Sequence, residues 1–158
     1  MADRYLLLYD AEGVLIRETD AGEKTRTAGS WEAMSQLSGR TDAVQAPVTG
    51  LGRDETAVLM KEVTGLGLDR YLDLEVGAYG SADLAALVTA ARDLATVKYG
   101  TELVVVAITG PAGVSEVVGA ADVVVAVAAD DAPRADGAKH VIAKLLDLVP
   151  LVLENRVA

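Results

Sequence analysis

Apolar and polar positions alternate in blocks along this chain. Arg4 to Tyr9 is a short, near-continuous apolar run that ends in Asp10-Ala-Glu-Gly. A run of that length with no polar face predicts a buried strand. Between Gly22 and Gly39 the composition is polar, with Trp31, Met34 and Leu37 at helical spacing. That spacing predicts one short amphipathic helix, with Ser30 as N-cap and Glu32 and Gln36 facing outward. Ala46-Pro-Val-Thr-Gly reads as a strand end or turn, and Asp54 to Thr64 as a helix that Gly65 to Asp69 breaks. Leu72-Asp-Leu-Glu-Val alternates, which predicts a second strand. Asp83 to Leu94 repeats Ala and Leu at helical spacing. Leu103 to Ile108 and Val123 to Ala128 are apolar strands on either side of a short helix, Val114 to Ala121. Ala138 to Leu148 reads as a helix and Leu151-Val-Leu as a final strand.

Strands that are apolar on both faces and alternate with helices imply a parallel sheet covered on each side, a three-layer α/β/α Rossmann-like architecture. The crossovers of such a sheet are right-handed. Its ligands sit beyond the carboxyl ends of the strands. Asp10, Glu12, Thr49 with Gly50, and the Thr109-Gly110 turn are expected to gather there. No internal repeat or low-complexity linker interrupts the chain, so its 158 residues are expected to form one domain, residues 1–158.

Composition narrows the function classes. Apolar residues make up 51% of the chain and aromatic ones 4%, with no Phe, which suits aliphatic packing of helices on a sheet. The net charge of −10 and the absence of a Lys/Arg cluster argue against nucleic-acid and membrane partners, because a negative field repels phosphate backbones and anionic lipid surfaces. Absence of Cys excludes disulfides and thiolate chemistry. Acids appear by Asp3 and Asp10, so no signal peptide is expected at the N-terminus. The apolar stretches are too short or too interrupted to span a bilayer, and a cytoplasmic location is the expectation.

Four stretches together resemble the haloacid dehalogenase-like (HAD) superfamily, in particular its small phosphatases of the phosphoglycolate-phosphatase type. LLLYDAEGVLI is similar to the first motif, an apolar strand followed by Asp-x-Asp-Gly. SGRTD, Ser38 to Asp42, is similar to a segment inside the helical cap. Val48 to Ser81 is similar to the second motif with its following helix and strand, and LVVVAITGPAGVSEVVGAADVVVAVA to the region of the fourth motif. The resemblance implies a HAD-like core. The connection from Gly13 to Pro47 is too short for the usual cap bundle, which leaves residues 17–46 as a remnant cap insertion with a helix around Trp31.

The resemblance also implies a mechanism. An Asp nucleophile attacks a phosphoryl group while a second acid two residues later shuttles the proton. A Ser or Thr and a Lys hold the phosphate, and further acids bind Mg²⁺. Asp10 matches the nucleophile, Thr49 the second-motif hydroxyl, and Glu12 the proton shuttle, one methylene longer than the Asp usual there. The expected Lys is replaced by GAYGSADL, and Lys98 stands at the far end of the following helix. Where a Gly-Asp step is expected the chain reads Thr109-Gly110-Pro111-Ala112-Gly113, and the next acid is Glu116.

These departures lead to the expectation of a HAD-fold protein that has lost the Mg-dependent phosphatase machinery. It would bind or transform a small molecule, with Asp10 and Glu12 as a metal-independent acid/base pair, Thr49, Gly50, Thr109 and Gly110 in contact with ligand, and no cofactor. One alternative is an Mg²⁺-dependent small-molecule phosphatase with Glu116 or Asp130 as replacement ligand. Another is an inert scaffold, with a homodimer covering surface left apolar by the missing cap. Several residues keep two readings. The TGPAG segment fits an anion-binding turn or a plain tight one, and Asp130-Asp131 a metal pair or a helix start. Trp31, Met34 and Leu37 fit core cover or a lid over Asp10. His140, the sole histidine, reads as a surface or packing residue on a helix; nothing in the spacing of Tyr5, Tyr9 and Tyr79 argues that they line a pocket.

Overall fold

The computed structural model describes residues 5–39, 42–63, 68–99, 103–128, 137–154 and 156–157, without the side chains of residues 62, 63, 68 and 69. The first half of the chain gives β1 (Tyr5–Asp10), a hairpin of β2 (Ile16–Glu18) and β3 (Lys24–Arg26), α1 (Ser30–Leu37), β4 (Ala43–Thr49) and α2 (Arg53–Val58). The second half gives β5 (Ala78–Tyr79), α3 (Leu84–Tyr99), β6 (Val104–Thr109), α4 (Val114–Val117), β7 (Val123–Val127), β8 (His140–Ile142) and α5 (Leu148–Leu153).

Six strands form one sheet in the order β5-β4-β1-β6-β7-β8, and every pairing in it is parallel. The apolar alternation of β1 sorts the core into two layers. Tyr5, Leu7 and Tyr9 face one side, where they meet Ala33, Met34 and Leu37 of α1 and Leu148, Val149 and Val152 of α5. Leu6 and Leu8 face the other, against Leu84, Leu87, Val88 and Ala91 of α3 and Val114 and Val117 of α4. Each fully buried leucine of this kind stabilises the fold by roughly 2 kcal/mol. The resulting three-layer HAD-like arrangement is the one expected. Met34 and Leu37 are fully buried in it as core.

After β1 the chain moves outward through β4 to β5, then returns to the opposite side of β1 with β6. The reversal opens a crevice at the carboxyl ends of β1 and β6, the position where open parallel sheets bind ligands. β1 is bound on both sides, by β4 and β6, and ends at Asp10.

Four element readings are corrected. Leu72-Asp-Leu-Glu-Val is a turn and not a strand: the Asp73 carboxylate accepts the Glu75 and Val76 amides at 3.1 and 3.3 Å, which curls the segment. The edge strand forms later, at Ala78–Tyr79. Ala138 to Leu148 is not one helix. It supplies β8 and then a 3₁₀ turn, Leu145–Asp147, because the open edge of β7 satisfies the backbone of His140 to Ile142 as a strand. Leu151 to Leu153 is accordingly the end of α5 and not a strand. Ser30 is the first residue of α1 and not its cap; Gly29, at φ 79°, holds the cap position, and Ser30 Oγ donates to the Thr27 carbonyl at 2.9 Å. His140 thus lies on a strand, its Nε2 3.0 Å from the Val157 carbonyl oxygen. Asp130 and Asp131 lie outside the described residues.

Candidate active site

Asp10 leaves the sheet where its neighbours still hold the backbone, beside Val48 of β4. The chain then makes a tight turn over Ala11–Leu15. Gly13 has φ 97° there, a left-handed conformation that glycine adopts without steric cost. This turn exposes Glu12 and returns the chain as the β2–β3 hairpin.

Thr109, at the end of β6, is buried, and its Oγ1 donates to Asp10 Oδ2 at 3.3 Å. The backbone N–H of Glu12 also donates to the Asp10 carboxylate. Burial nevertheless raises the Asp10 pKa from 3.8 to about 6; the Thr109 and Glu12 donors pull it down, and the charges of Glu12 and Glu116 push it up again. No described cation forms an ion pair with Asp10. The two acids that act on Asp10, Glu12 and Glu116, are both exposed.

The opening of α4 depends on a close approach. Gly113 N donates to the Gly110 carbonyl at 3.1 Å, and a Cβ built on Gly113 would run into Thr109 Oγ1 and come within 3.3 Å of Leu84 Cδ2. Glycine is required so that the Thr109 hydroxyl can stay on Asp10. On the other flank Thr49 is buried, and its Oγ1 accepts the Leu51 amide at 3.2 Å, which leaves the hydroxyl hydrogen free to donate. Gly50 lies against the Ser81 carbonyl, where a Cβ would sit at 3.4 Å. The six residues expected at the site, Asp10, Glu12, Thr49, Gly50, Thr109 and Gly110, all lie at the carboxyl edge of β1, β4 and β6.

Tyr9 does not join them. Its buried hydroxyl donates to Gln45 Oε1 at 2.6 Å, and Gln45 Nε2 donates to the Met34 carbonyl at 3.1 Å. Burial pushes the Tyr9 phenol far above its usual range. Lys98 sits elsewhere, on Asp73. Reasoning from sequence missed the hairpin and its charges. A cavity of about 240 Å³ lies beside Glu12, with Arg17 and Lys24 in its wall. The signal was present in Ile16-Arg-Glu and Lys24-Thr-Arg, two short alternating runs around a turn-forming Thr-Asp-Ala-Gly.

No family model matches the chain, and no curated protein sequence does. Solved structures match its fold along nearly the whole length. The cobalt-bound deoxy-D-mannose-octulosonate 8-phosphate phosphatase of Haemophilus influenzae is 15% identical, with TM-score 0.62, over 98% of this chain and 90% of that one. The 3-deoxy-D-manno-octulosonate 8-phosphate phosphatase of Moraxella catarrhalis, in complex with magnesium, phosphate and KDO, is 17% identical, with TM-score 0.60, over 96% and 86%. A putative HAD superfamily (subfamily III A) hydrolase of Legionella pneumophila is 16% identical, with TM-score 0.56, over 98% and 85%. These likenesses show that the chain has the HAD fold. The first two are octulosonate phosphatases, a different kind from the phosphoglycolate type expected from the sequence. They also correct the expectation of no cofactor, since one neighbour carries cobalt and another magnesium. The physical reason lies in Asp10, a partly buried carboxylate with acidic neighbours, which is the kind of oxygen donor a hard metal ion takes. No described helix is long and apolar enough to cross a membrane.

Proposed function

We propose that this protein is a metal-assisted hydrolase of small phosphate monoesters, with Asp10 as nucleophile and Glu12 as proton shuttle. The observation that carries the reading is Asp10 itself, a half-buried carboxylate at the end of the central strand, held by Thr109 and pressed by Glu12 and Glu116. The fold of the phosphatases named above supports it.

The donors fit a divalent cation. Among the described residues no three acids or histidines stand close enough to cage a metal. Mg²⁺ does not need a cage, because it keeps several waters and binds through one or two carboxylates. Asp10 and Glu116, all-oxygen donors on one crevice, would hold it. A bound cation would screen the carboxylates from an approaching phosphate.

The chain's own groups account for the remaining steps. An Asp10 oxygen attacks phosphorus, forming a P–O bond as the ester P–O bond breaks. The departing oxygen takes the proton of Glu12, which therefore enters the reaction as the acid. Glu12, now a carboxylate, accepts a proton from a water that attacks the phosphoryl group, and phosphate leaves with Asp10 restored. The free Thr49 hydroxyl hydrogen and the amides at Gly50 and Gly110 would hold the phosphoryl oxygens. The β2–β3 hairpin of the 17–46 insertion would form one wall for the leaving group.

A second reading, ligand binding without turnover, is favoured by the lack of any described ion pair to Asp10. Phosphate release from p-nitrophenyl phosphate and from a panel of phosphorylated sugars and sugar acids separates the two. The proposal expects release in Mg²⁺ that stops in EDTA and in Asp10→Asn. If no ester in the panel is hydrolysed while one still binds, the hydrolase reading fails and the binding one stands.

A further inference from the structure

A second cleft lies away from Asp10. It holds about 690 Å³ and runs along the outer edge of the sheet, beside the amino-terminal half of β4. Its existence follows from the brevity of β5, which pairs only with Val48 and Thr49 and leaves the edge of Ala43 to Gln45 without a neighbouring strand. The Asp73 turn fills part of the gap, its amide donating to the Gln45 carbonyl at 2.7 Å.

The chemistry of the cleft is the reverse of that around Asp10. Arg53, Arg70 and Lys98 all contribute to its wall, in a chain whose net charge is −10. The acid at its base is already neutralised. Asp73 Oδ2 accepts Lys98 Nζ at 2.6 Å and the Tyr99 hydroxyl at 2.6 Å, while Oδ1 accepts the two turn amides. Glu75 is an exposed partner of Lys98 at 3.3 Å. Arg53 and Arg70 make no ion pair with any described residue. Arg70 sits on a 3₁₀ turn, Leu68–Tyr71, whose Tyr71 ring packs edge-on against Trp31 with centroids 6.5 Å apart. The arginine is thus carried on an anchored backbone.

We propose that this cleft is a binding site for a small oxyanion-bearing metabolite, held by the Arg53 and Arg70 guanidinium groups and separate from the Asp10 crevice. Guanidinium presents a planar fork of donors that matches phosphate and carboxylate, and it is less strongly hydrated than an ammonium group. Two such forks, unpaired with any described carboxylate, leave their donors to an incoming ligand. The occupied Asp73 does not repel that ligand, since Lys98 balances its charge at 2.6 Å. The Tyr71 and Tyr99 rings give the cleft partly apolar walls, so a carbon skeleton bearing the anionic group fits better than a bare ion.

Calorimetric titration of the full chain with inorganic phosphate, and separately with citrate, tests the site. Wild type is expected to bind, whereas Arg53→Gln and Arg70→Gln each weaken binding by about tenfold or more. A larger response to phosphate than to citrate assigns the site to phosphoryl groups, and the reverse assigns it to carboxylates. Both arginines are exposed, so their replacement does not threaten folding. The proposal is overturned if neither probe binds wild type at about 10 mM, roughly tenfold above a weak Kd of about 1 mM. It is equally overturned if the arginine variants bind as wild type does. A phosphate response that survives both arginine substitutions would place the anion in the Asp10 crevice and remove the cleft as a site, while the hydrolase reading would stand.

Discussion

Asp10 and Asp73 are both partly buried acids at the margin of one sheet, and their pKa values move in opposite directions. Burial raises Asp10 to about 6, and Thr109 and one amide do not reverse it. Burial is also the largest influence on Asp73, yet Lys98 and Tyr99 together bring it below its usual range. The difference lies in the partners. A carboxylate with a cation and several donors is a settled structural group, whereas one with a single hydroxyl, one amide and two acidic neighbours is in search of positive charge. The same contrast separates the two concave regions, a crevice whose Asp10 has no described ion-pair partner and an arginine cleft whose acid is already matched.

Replacing Asp10 by Asn is the strongest way to break this comparison. Phosphate release, followed with p-nitrophenyl phosphate in Mg²⁺, is expected to fall by about a thousandfold or more, because no other described carboxylate ends the central strand. Gly113→Ala comes next. Its methyl group has to displace Thr109 or Leu84, with an expected loss of about 2 kcal/mol in denaturant unfolding and a further rise in the Asp10 pKa.

The pH dependence of stability sharpens the contrast. In EDTA, native Asp10 keeps its proton up to about pH 6, while an unfolded aspartate releases it near 3.8. The native state then binds more protons than the unfolded chain within that window, so stability falls as pH rises through it. The expected fall is roughly 2 kcal/mol after solvent screening, absent in Asp10→Asn and reduced by added Mg²⁺. Asp73 has the opposite sign, since its lowered pKa gives stability that is lost as pH falls through the acidic range. Chemical unfolding of wild type and Asp10→Asn from about pH 2 to about pH 7 separates the two contributions, Asp10 above about pH 4 and Asp73 below it.

A smaller effect is expected from Tyr9→Phe. It removes the buried hydrogen bond to Gln45, which also faces the arginine cleft, and is expected to cost about 1 kcal/mol by the same unfolding measurement. Arg70→Gln is expected to leave thermal stability within about 0.5 kcal/mol of wild type.

How much of this was legible in the sequence depends on how each segment is stabilised. β1, β6 and β7 are apolar on both faces, so their burial and parallel pairing could be read from residue type alone. The crevice residues followed, because strand ends in such a sheet converge whatever their loops do. Leu72 to Val76 misled because its alternation is that of a strand, while the Asp73 side chain captured the backbone amides that a strand would have used. Ala138 to Leu148 misled for the converse reason: its pattern suited a helix, but the free edge of β7 lay within reach. The cleft was invisible in sequence, since Arg53, Arg70 and Lys98 are far apart in the chain and only the short β5 brings them to one wall.

The turn after β6 holds two glycines with unequal freedom. Gly113 is pinned beneath Thr109, but a side chain growing from Gly110 meets no atom within 4 Å, and its φ of −69° and ψ of 167° suit any residue. A single-codon change to aspartate at that position would install another carboxylate at the crevice without disturbing the backbone, which makes Gly110 the place where evolution or an engineer can strengthen the hold on a metal with the least rebuilding.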